Sequence, residues 1–505
     1  MLNKLFSMFS KNPSSDYSSQ SMTYNDDEAL SNRPSSAKKV EKATAKDLEQ
    51  ALNLSLRLKK QVIQSNSFSA QTFPMLVSLI SENLKLNNKA PLDLVCVIDH
   101  SGSMNGQKIE LVKESFNYLL KFLSDSDRLS IVIFDDKASR LVPLVRMNEK
   151  NKEMILSKLK DVHGDGGTDI NLGMTHAFEI LKQRRYQNPV TSVFLLSDGL
   201  DSGAQHKVKA TLSKSKLSDD ITINTFGFGN DHDPQLMNDI ADLRDGNFYF
   251  VEKLDTVDEA FVDCLGGLLS SIGQNVTIKI SPEKSKILKD IEIVKAYGEA
   301  SMWAKDGNTY ITKMSNIISG RQKDFVLELK IPANSKELQD HEKRVKVANA
   351  EASMVALDGK TVTKKAELFI TLLNETEELK EEEEADREVM KNFYRVKGAS
   401  ILSEARKLAD QRKNDDAKKI LQSFKEELEG SMLKTEQFIK NLIKDIEKAL
   451  EDVNPIVYEQ YGKHNMMENA RAQMYQKVNF KSANCYQNSV QMDMIQEVKA
   501  MKSRK

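Results

Sequence analysis

Asp99-His100-Ser101-Gly102-Ser103 places one carboxylate and two hydroxyls on a single short turn at the end of the apolar run LDLVCVID. Oxygen donors spaced this closely suit a hard divalent cation. Mg²⁺ takes octahedral oxygen ligands at about 2.0–2.1 Å and keeps water wherever the protein leaves a gap. Alone the pattern is a weak signal, because serine-rich turns are common. Two later segments strengthen it. Gly166-Gly167-Thr168 opens a helical stretch, with glycines that permit close backbone approach and a third hydroxyl on Thr168. The apolar run SVFLLSD ends on Asp198, followed by Gly199. In an open α/β sheet, ligands bind beyond the carboxyl ends of strands where the strand order reverses. Asp99 and Asp198 meet at that point if LDLVCVID and SVFLLSD are neighbours. RLSIVIF and RLVPLV, close enough in sequence to form an antiparallel edge hairpin, imply that they are.

The elements that must hold these groups alternate between residues 91 and 274. LDLVCVID and SVFLLSD are continuous apolar strands of the kind buried on both faces of a parallel sheet. Between them Ile109, Val112, Phe116, Leu119 and Leu123 make one helical stripe, and further helices are expected near 150–160 and 169–184. ITINTFGF, a helix after Asp233-Pro234, NFYFV and a last helix from Val257 to Ile272 complete a doubly wound, mostly parallel α/β unit. If the site switches between affinity states, that last helix is the element expected to move.

After Gly273 the period changes. NVTIKI, FVLELKI and ELFITLL alternate apolar and polar residues, with turns at Asp306-Gly307-Asn308 and Asp358-Gly359, so 275–375 reads as a small β-sandwich-like domain. An acidic run from Glu377 to Glu384 opens a C-terminal helical region over 376–452. Its stripes are Val389/Phe393/Val396, Ile420/Leu421/Phe424/Leu428 and Phe438/Leu442/Ile446/Leu450. Residues 43–90 read as a helix over Lys46–Gln64 and a strand near Met75–Ile80 leading into the core. Residues 1–42 read as a disordered tail and 453–505 as a polar C-terminal tail without a sustained period.

Composition narrows the function classes. The 505 residues carry 73 basic and 74 acidic side chains, so nothing points to a nucleic-acid footprint. Three scattered cysteines, Cys96, Cys264 and Cys485, fit a reducing compartment and form neither a zinc finger nor a disulfide scaffold. No run approaches the ~20 apolar residues of a transmembrane helix, and the N-terminus lacks the ~7–15-residue apolar core of a secretory signal. Leu2, Leu5, Phe6 and Phe9 leave room for a weak membrane contact. No Ser/His/Asp or Cys/His arrangement is readable, and Gly227-Phe228-Gly229 lacks the Lys-Ser/Thr ending of a phosphate loop, so no catalytic residue is assigned.

D-x-S-G-S, G-G-T-D and L-L-S-D-G, in this order, resemble the metal-ion-dependent adhesion-site motif of von Willebrand factor A domains. APLDLVCVIDHSGSM, SDRLSIVIFDDKASRLVPL, NPVTSVFLLSDG and TFGFGNDHDPQLM are similar to a eukaryotic subgroup that includes plant RING-type ubiquitin ligases with A domains. The similarity is dense from Pro91 to Gly273 and looser through the β-rich segment and the first helix pair. It implies a Rossmann-like A-domain fold with Asp99, Ser101, Ser103, Thr168 and Asp198 as metal ligands. Ser101 and Ser103 would coordinate directly, Thr168 directly or through water, and Asp198 mostly through water. The sixth position would take an acidic side chain of a partner protein. Mg²⁺ is the implied cation, with Mn²⁺ or Ca²⁺ as substitutes. A RING needs about eight Cys/His ligands in paired spacings, which three cysteines do not supply.

The expectation is therefore a cytoplasmic, metal-dependent protein-binding scaffold rather than an enzyme. The alternative is a non-catalytic adaptor in a ubiquitin-ligase or ATPase-linked assembly. Asp135, Asp136, Asp165 and Asp169 should share the site's face, either as solvated loop acids or as holders of a second ion. His100 lies between two ligand positions, but Mg²⁺ prefers oxygen. His232 reads as part of a helix entry, with Asp233 as cap and Pro234 at the first helical position.

Overall fold

The computed structural model describes residues 43–64, 69–84, 90–198, 201–228, 233–251, 257–334, 336–377, 385–476 and 487–503. The expectations for residues 1–42, the body of the acidic run, Gly199, Gly229, His232 and Cys485 lie outside these residues.

The chain enters through α1 (Ala45–Ala51), β1 (Leu52–Leu58), β2 (Val62–Gln64) and β3 (Gln71–Ser81). Thr44 and Asp47 close a reciprocal capping box at the start of α1. The helix expected over Lys46–Gln64 stops at Ala51. Leu52, Leu54, Leu56 and Leu58 are buried at every second position, and pairing with β3 from Leu52↔Ser81 to Leu58↔Met75 makes the segment a strand. Leucines two apart are also four apart, so the sequence alone fits either period.

The α/β unit runs through β4 (Leu92–Asp99), α2 (Gln107–Phe122), β5 (Arg128–Phe134), β6 (Ala138–Arg146), α3 (Glu149–Lys160) and α4 (Ile170–Gln183). It continues with β7 (Val190–Ser197), α5 (Ala204–Ser215), β8 (Ile221–Phe228), α6 (Pro234–Asp242), β9 (Phe248–Val251) and α7 (Val257–Leu269). Its six strands lie in the order β6-β5-β4-β7-β8-β9. All pairs are parallel except the edge hairpin β5–β6. β4 and β7 are neighbours, in register Leu92↔Val190 to Ile98↔Leu196, and every residue of both is buried. This is why those two runs are apolar without alternation. Phe261 of α7 stacks among Phe116, Phe194 and Phe226, with ring centroids 4.5–6.4 Å apart, which fastens the last helix to the sheet. Asp233 caps α6 and Pro234 is its first residue, as the sequence implied.

α7 ends at Leu269 rather than Ile272, because Ser271 and Ile272 already belong to β10 (Ser271–Pro282). There follow β11 (Glu292–Ala296), β12 (Ala304–Asp306), β13 (Thr309–Ile318), β14 (Gln322–Ile331), β15 (Arg344–Ala356) and β16 (Thr361–Leu373). These strands form two sheets, in the orders β1-β3-β14-β11 and β12-β13-β10-β15-β16-β2. Residues 43–90 are thus no lead-in to the α/β unit: β1 and β3 supply half of one β sheet, and β2 pairs in parallel with β16. The α/β unit is inserted between β3 and β10. Local alternation marks a strand but does not say which distant strand will pair with it.

The helical region contains α8 (Arg387–Asp410), α9 (Asn414–Glu429), α10 (Gln437–Asp452), the short α11 (Pro455–Val457), α12 (Lys463–Tyr475) and α13 (Ser489–Lys502). Leu402, Leu421, Phe424, Leu442 and Ile446 form its core, joined by Met466 and Ala470 of α12. α13 instead packs on α7, where Met494, Ile495 and Val498 enter the core shared by the α/β unit and the β sheets. The expected polar tail over 453–505 is therefore corrected. Its helices bury sparse Met and Ala positions between hydrogen-bonding Gln and Asn, a pattern without strong apolar periodicity. Among the described residues no helix is long and apolar enough to cross a membrane.

Candidate metal centre

Asp99 is the last residue of β4 and its side chain is buried. Its carboxylate accepts from the backbone N–H of Ser101 at 2.9 Å and from the Ser197 hydroxyl at 2.5 Å. The turn that follows is held from two sides. His100 N–H bonds to the Phe134 carbonyl at the end of β5. Gly102 N–H bonds to the Gly166 carbonyl, and Asp165 N–H to the His100 carbonyl, at 3.0 and 2.7 Å. These last two bonds tie the D-x-S-G-S turn to the loop that carries Thr168.

Glycine is required at two points of that contact. A Cβ at Gly164 would lie 2.6 Å from Asn105 N and 2.8 Å from the Ser101 carbonyl. Gly166 has φ +76°, a conformation that favours a residue without Cβ.

Three of the expected ligand hydroxyls and carboxylates are linked directly. Ser101 Oγ lies 3.1 Å from Ser103 Oγ, and Ser103 Oγ donates to Asp198 Oδ1 at 2.8 Å. Asp198 follows the last residue of β7 and has no exposed side-chain surface. Thr168 is half-buried on the tied loop and takes no part in the Ser101–Ser103–Asp198 chain. Asp99, Ser101, Ser103 and Asp198 thus come together at the carboxyl end of the neighbouring strands β4 and β7, with the Thr168 loop fixed beside them.

Burial pushes the Asp99 carboxyl up from its ordinary value, and the nearby Asp198 adds to this. The hydrogen bonds from Ser197 and Ser101 oppose it. No cation touches Asp99 among the described contacts, and the Asp198 carboxylate at the end of the neighbouring strand is paired with Lys108. A buried carboxylate without a cation is stabilised by a positive group placed at its oxygens. Among the described residues no three His, Cys, Asp or Glu side chains cluster as a metal site. A cation here would rest on hydroxyls as much as on carboxylates, a donor set that suits Mg²⁺ or Ca²⁺ rather than zinc. The residues therefore fit the ion that the motif implies.

The outer acids have structural employment. Asp136 accepts from Gly167 N–H at 2.9 Å, Asp165 from Gly166 N–H at 2.8 Å, and Asp169 caps α4 through Leu172 N–H at 3.1 Å. Asp135 accepts from Lys137 N–H at 2.6 Å and lies 3.7 Å from His100 Nε2. Three residues were missed by sequence reasoning. Ser197 supports Asp99, Lys108 of α2 donates to Asp198 Oδ2, and Asp201 accepts from Ile170 N–H at 3.0 Å. Ser197 stood inside the S-D-G run, whereas Lys108 and Asp201 carry no signal until the turns are folded.

Residues 93–262 match the model of the von Willebrand factor type A domain. The chain is 27% identical over 259 residues to E3 ubiquitin-protein ligase WAV3 of Arabidopsis thaliana, covering 49% of this chain and 32% of that protein. It is 26% identical over 263 residues to the probable E3 ubiquitin-protein ligase WAVH2 of the same plant, covering 51% and 35%. The match thus spans about a third of the length of these curated relatives. The solved structure of a von Willebrand factor type A protein from Catenulispora acidiphila superimposes with a TM-score of 0.59 at 13% identity, over 85% of this chain and 98% of that one. That likeness extends past the α/β unit into the β sheets and helices, and it concerns the fold alone. Two β sheets and a helical region thus frame an α/β unit that is a von Willebrand factor type A domain, a protein-interaction module.

Proposed function

We propose that this A domain is a metal-dependent protein-binding site within a scaffold protein of the cytoplasm. Asp99, Ser101 and Ser103 would hold Mg²⁺, or Mn²⁺ or Ca²⁺ in its place. Thr168 would join them directly or through water, and Asp198 mostly through water. The bound ion would supply a Lewis-acidic position open to an acidic side chain of a partner protein. The chain's own residues do the rest. The two backbone bonds between the D-x-S-G-S turn and the Thr168 loop fasten those two segments to each other. Ser197 and the Ser101 amide orient the Asp99 carboxylate. The observation that carries this reading is the buried Asp99 carboxylate, which no cation pairs among the described contacts, beside the Ser101–Ser103–Asp198 hydroxyl chain.

The test is affinity capture of partner proteins by the full chain in Mg²⁺ and in EDTA, with Asp99→Ala as the second arm. Capture that disappears in both arms supports the reading. Capture unaffected by both would falsify it.

A second reading, favoured by the similarity to the two Arabidopsis ligases, is a non-catalytic adaptor in a ubiquitin-ligase assembly. It predicts that a RING-type ligase co-purifies with the chain, and that the chain alone does not discharge ubiquitin from a charged conjugating enzyme. An ATPase-linked assembly would instead be marked by co-purification of a motor.

A further inference from the structure

Lys108 is the charged group at this centre that metal ligation leaves without a task. It is the second residue of α2, where the positive end of the helix dipole disfavours a cation. Its ammonium nevertheless turns onto Asp198 Oδ2, with 19% of the side chain exposed against none of Asp198. The other oxygen of Asp198 is taken by Ser103. Each oxygen of that carboxylate therefore already has a partner, one of them a cation.

We propose that Lys108 holds Asp198 back as a neutralised, outer member of the site, so that a bound cation keeps its charge for a partner's carboxylate. The inference rests on the metal-binding reading above and deepens it. A dication facing two free carboxylates is electrically satisfied by the protein itself. With one carboxylate paired to an ammonium the same site retains net positive charge. Its open position then attracts an external acid more strongly than it attracts water. The arrangement costs metal affinity, because the ammonium repels the dication across a few ångströms of partly buried space. Lys108 thereby trades metal affinity for affinity toward an acidic partner.

The experiment uses the full chain and two metals as probes. Mg²⁺ is titrated calorimetrically into the wild type, Lys108→Met and Lys108→Arg. Loss of the neighbouring positive charge should tighten Mg²⁺ binding about tenfold in Lys108→Met, while Lys108→Arg stays near the wild type. Water-proton relaxation of bound Mn²⁺ then reports inner-sphere hydration. Asp198, freed in Lys108→Met, should displace about one exchangeable water, following the octahedral preference of such ions. Lys108→Met that binds Mg²⁺ no tighter than a wild type that does bind it, with unchanged Mn²⁺ hydration, overturns the role of Lys108 and leaves the metal centre standing. Absence of metal binding in all three proteins, each folded by circular dichroism, overturns the metal centre itself and this inference with it.

Discussion

Replacing Asp263 by asparagine should stabilise the protein at neutral pH and lose that advantage in mild acid. Asp263 lies on α7, fully buried, where the A domain meets α13. Its Oδ2 accepts from the Tyr249 hydroxyl at 3.1 Å, and its Oδ1 accepts from Gln487 and Gln491 at 2.7 and 3.1 Å. Burial pushes its carboxyl from 3.8 up to about 6, against the lowering effect of Gln487, Tyr249 and the charge of Arg321. A carboxyl raised on folding binds its proton more tightly in the native state than in the unfolded one. Its stabilising contribution is complete below the unfolded value near pH 4 and is lost as pH rises through about 6. At about 1.4 kcal/mol per pH unit, ionising this group in place costs the native state roughly 3 kcal/mol above pH 6.

Asparagine cannot ionise and so avoids that cost. Its amide NH₂ can donate to Tyr249 Oη, while its carbonyl accepts from Gln487 or Gln491. One weakened hydrogen bond, worth about 1 kcal/mol, is the offset. The net gain at pH 7 is then roughly 2 kcal/mol, falling to zero or below near pH 4. Urea denaturation of wild type and Asp263→Asn between pH 4 and 8 measures the difference. Hydrogen exchange over α7 and α13 locates it. A difference that does not change with pH refutes the reasoning, since only the ionisation of Asp263 makes it pH-dependent.

Three further outcomes follow from the same physics. Asp93→Ala removes the carboxylate that binds Arg128 and Arg184 at 2.7–2.8 Å, leaving two buried guanidinium groups without that counter-ion. Thermal denaturation should show a loss of about 3–5 kcal/mol. Gly173→Ala puts a Cβ 2.7 Å from Phe134 and 2.8 Å from Val97, which should cost about 1–3 kcal/mol and lift α4 from the sheet. Because Thr168 precedes that helix, calorimetry should find weaker Mg²⁺ binding in the same variant. Finally, Mg²⁺ at about one hundred times its dissociation constant should raise wild-type stability by about 2.7 kcal/mol, an increment absent from Asp99→Ala.

The α/β unit was readable because its information is local. LDLVCVID and SVFLLSD are apolar at every position because both faces of a parallel strand are covered, and that signature survives without knowledge of the neighbours. Asp99, Ser101, Ser103 and Asp198 are equally local: each stands at the carboxyl end of such a strand, where the topology leaves a crevice. Tertiary structure decided what depends on a distant partner. Leu52–Leu58 is a strand only because β3 lies beside it, and β1 to β3 join the β sheets across the whole inserted A domain. The Met-, Gln- and Asn-rich end of the chain becomes α12 and α13 because α8 and α7 offer surfaces to cover. The same holds for Lys108. Its place in the sequence, early in a helix, argues against a buried charge pair, and only the folded chain brings its ammonium to Asp198, which follows the end of β7. Strand patterning and turn chemistry are written in adjacent residues, whereas pairing across an insertion and the charge at a site depend on which surfaces meet.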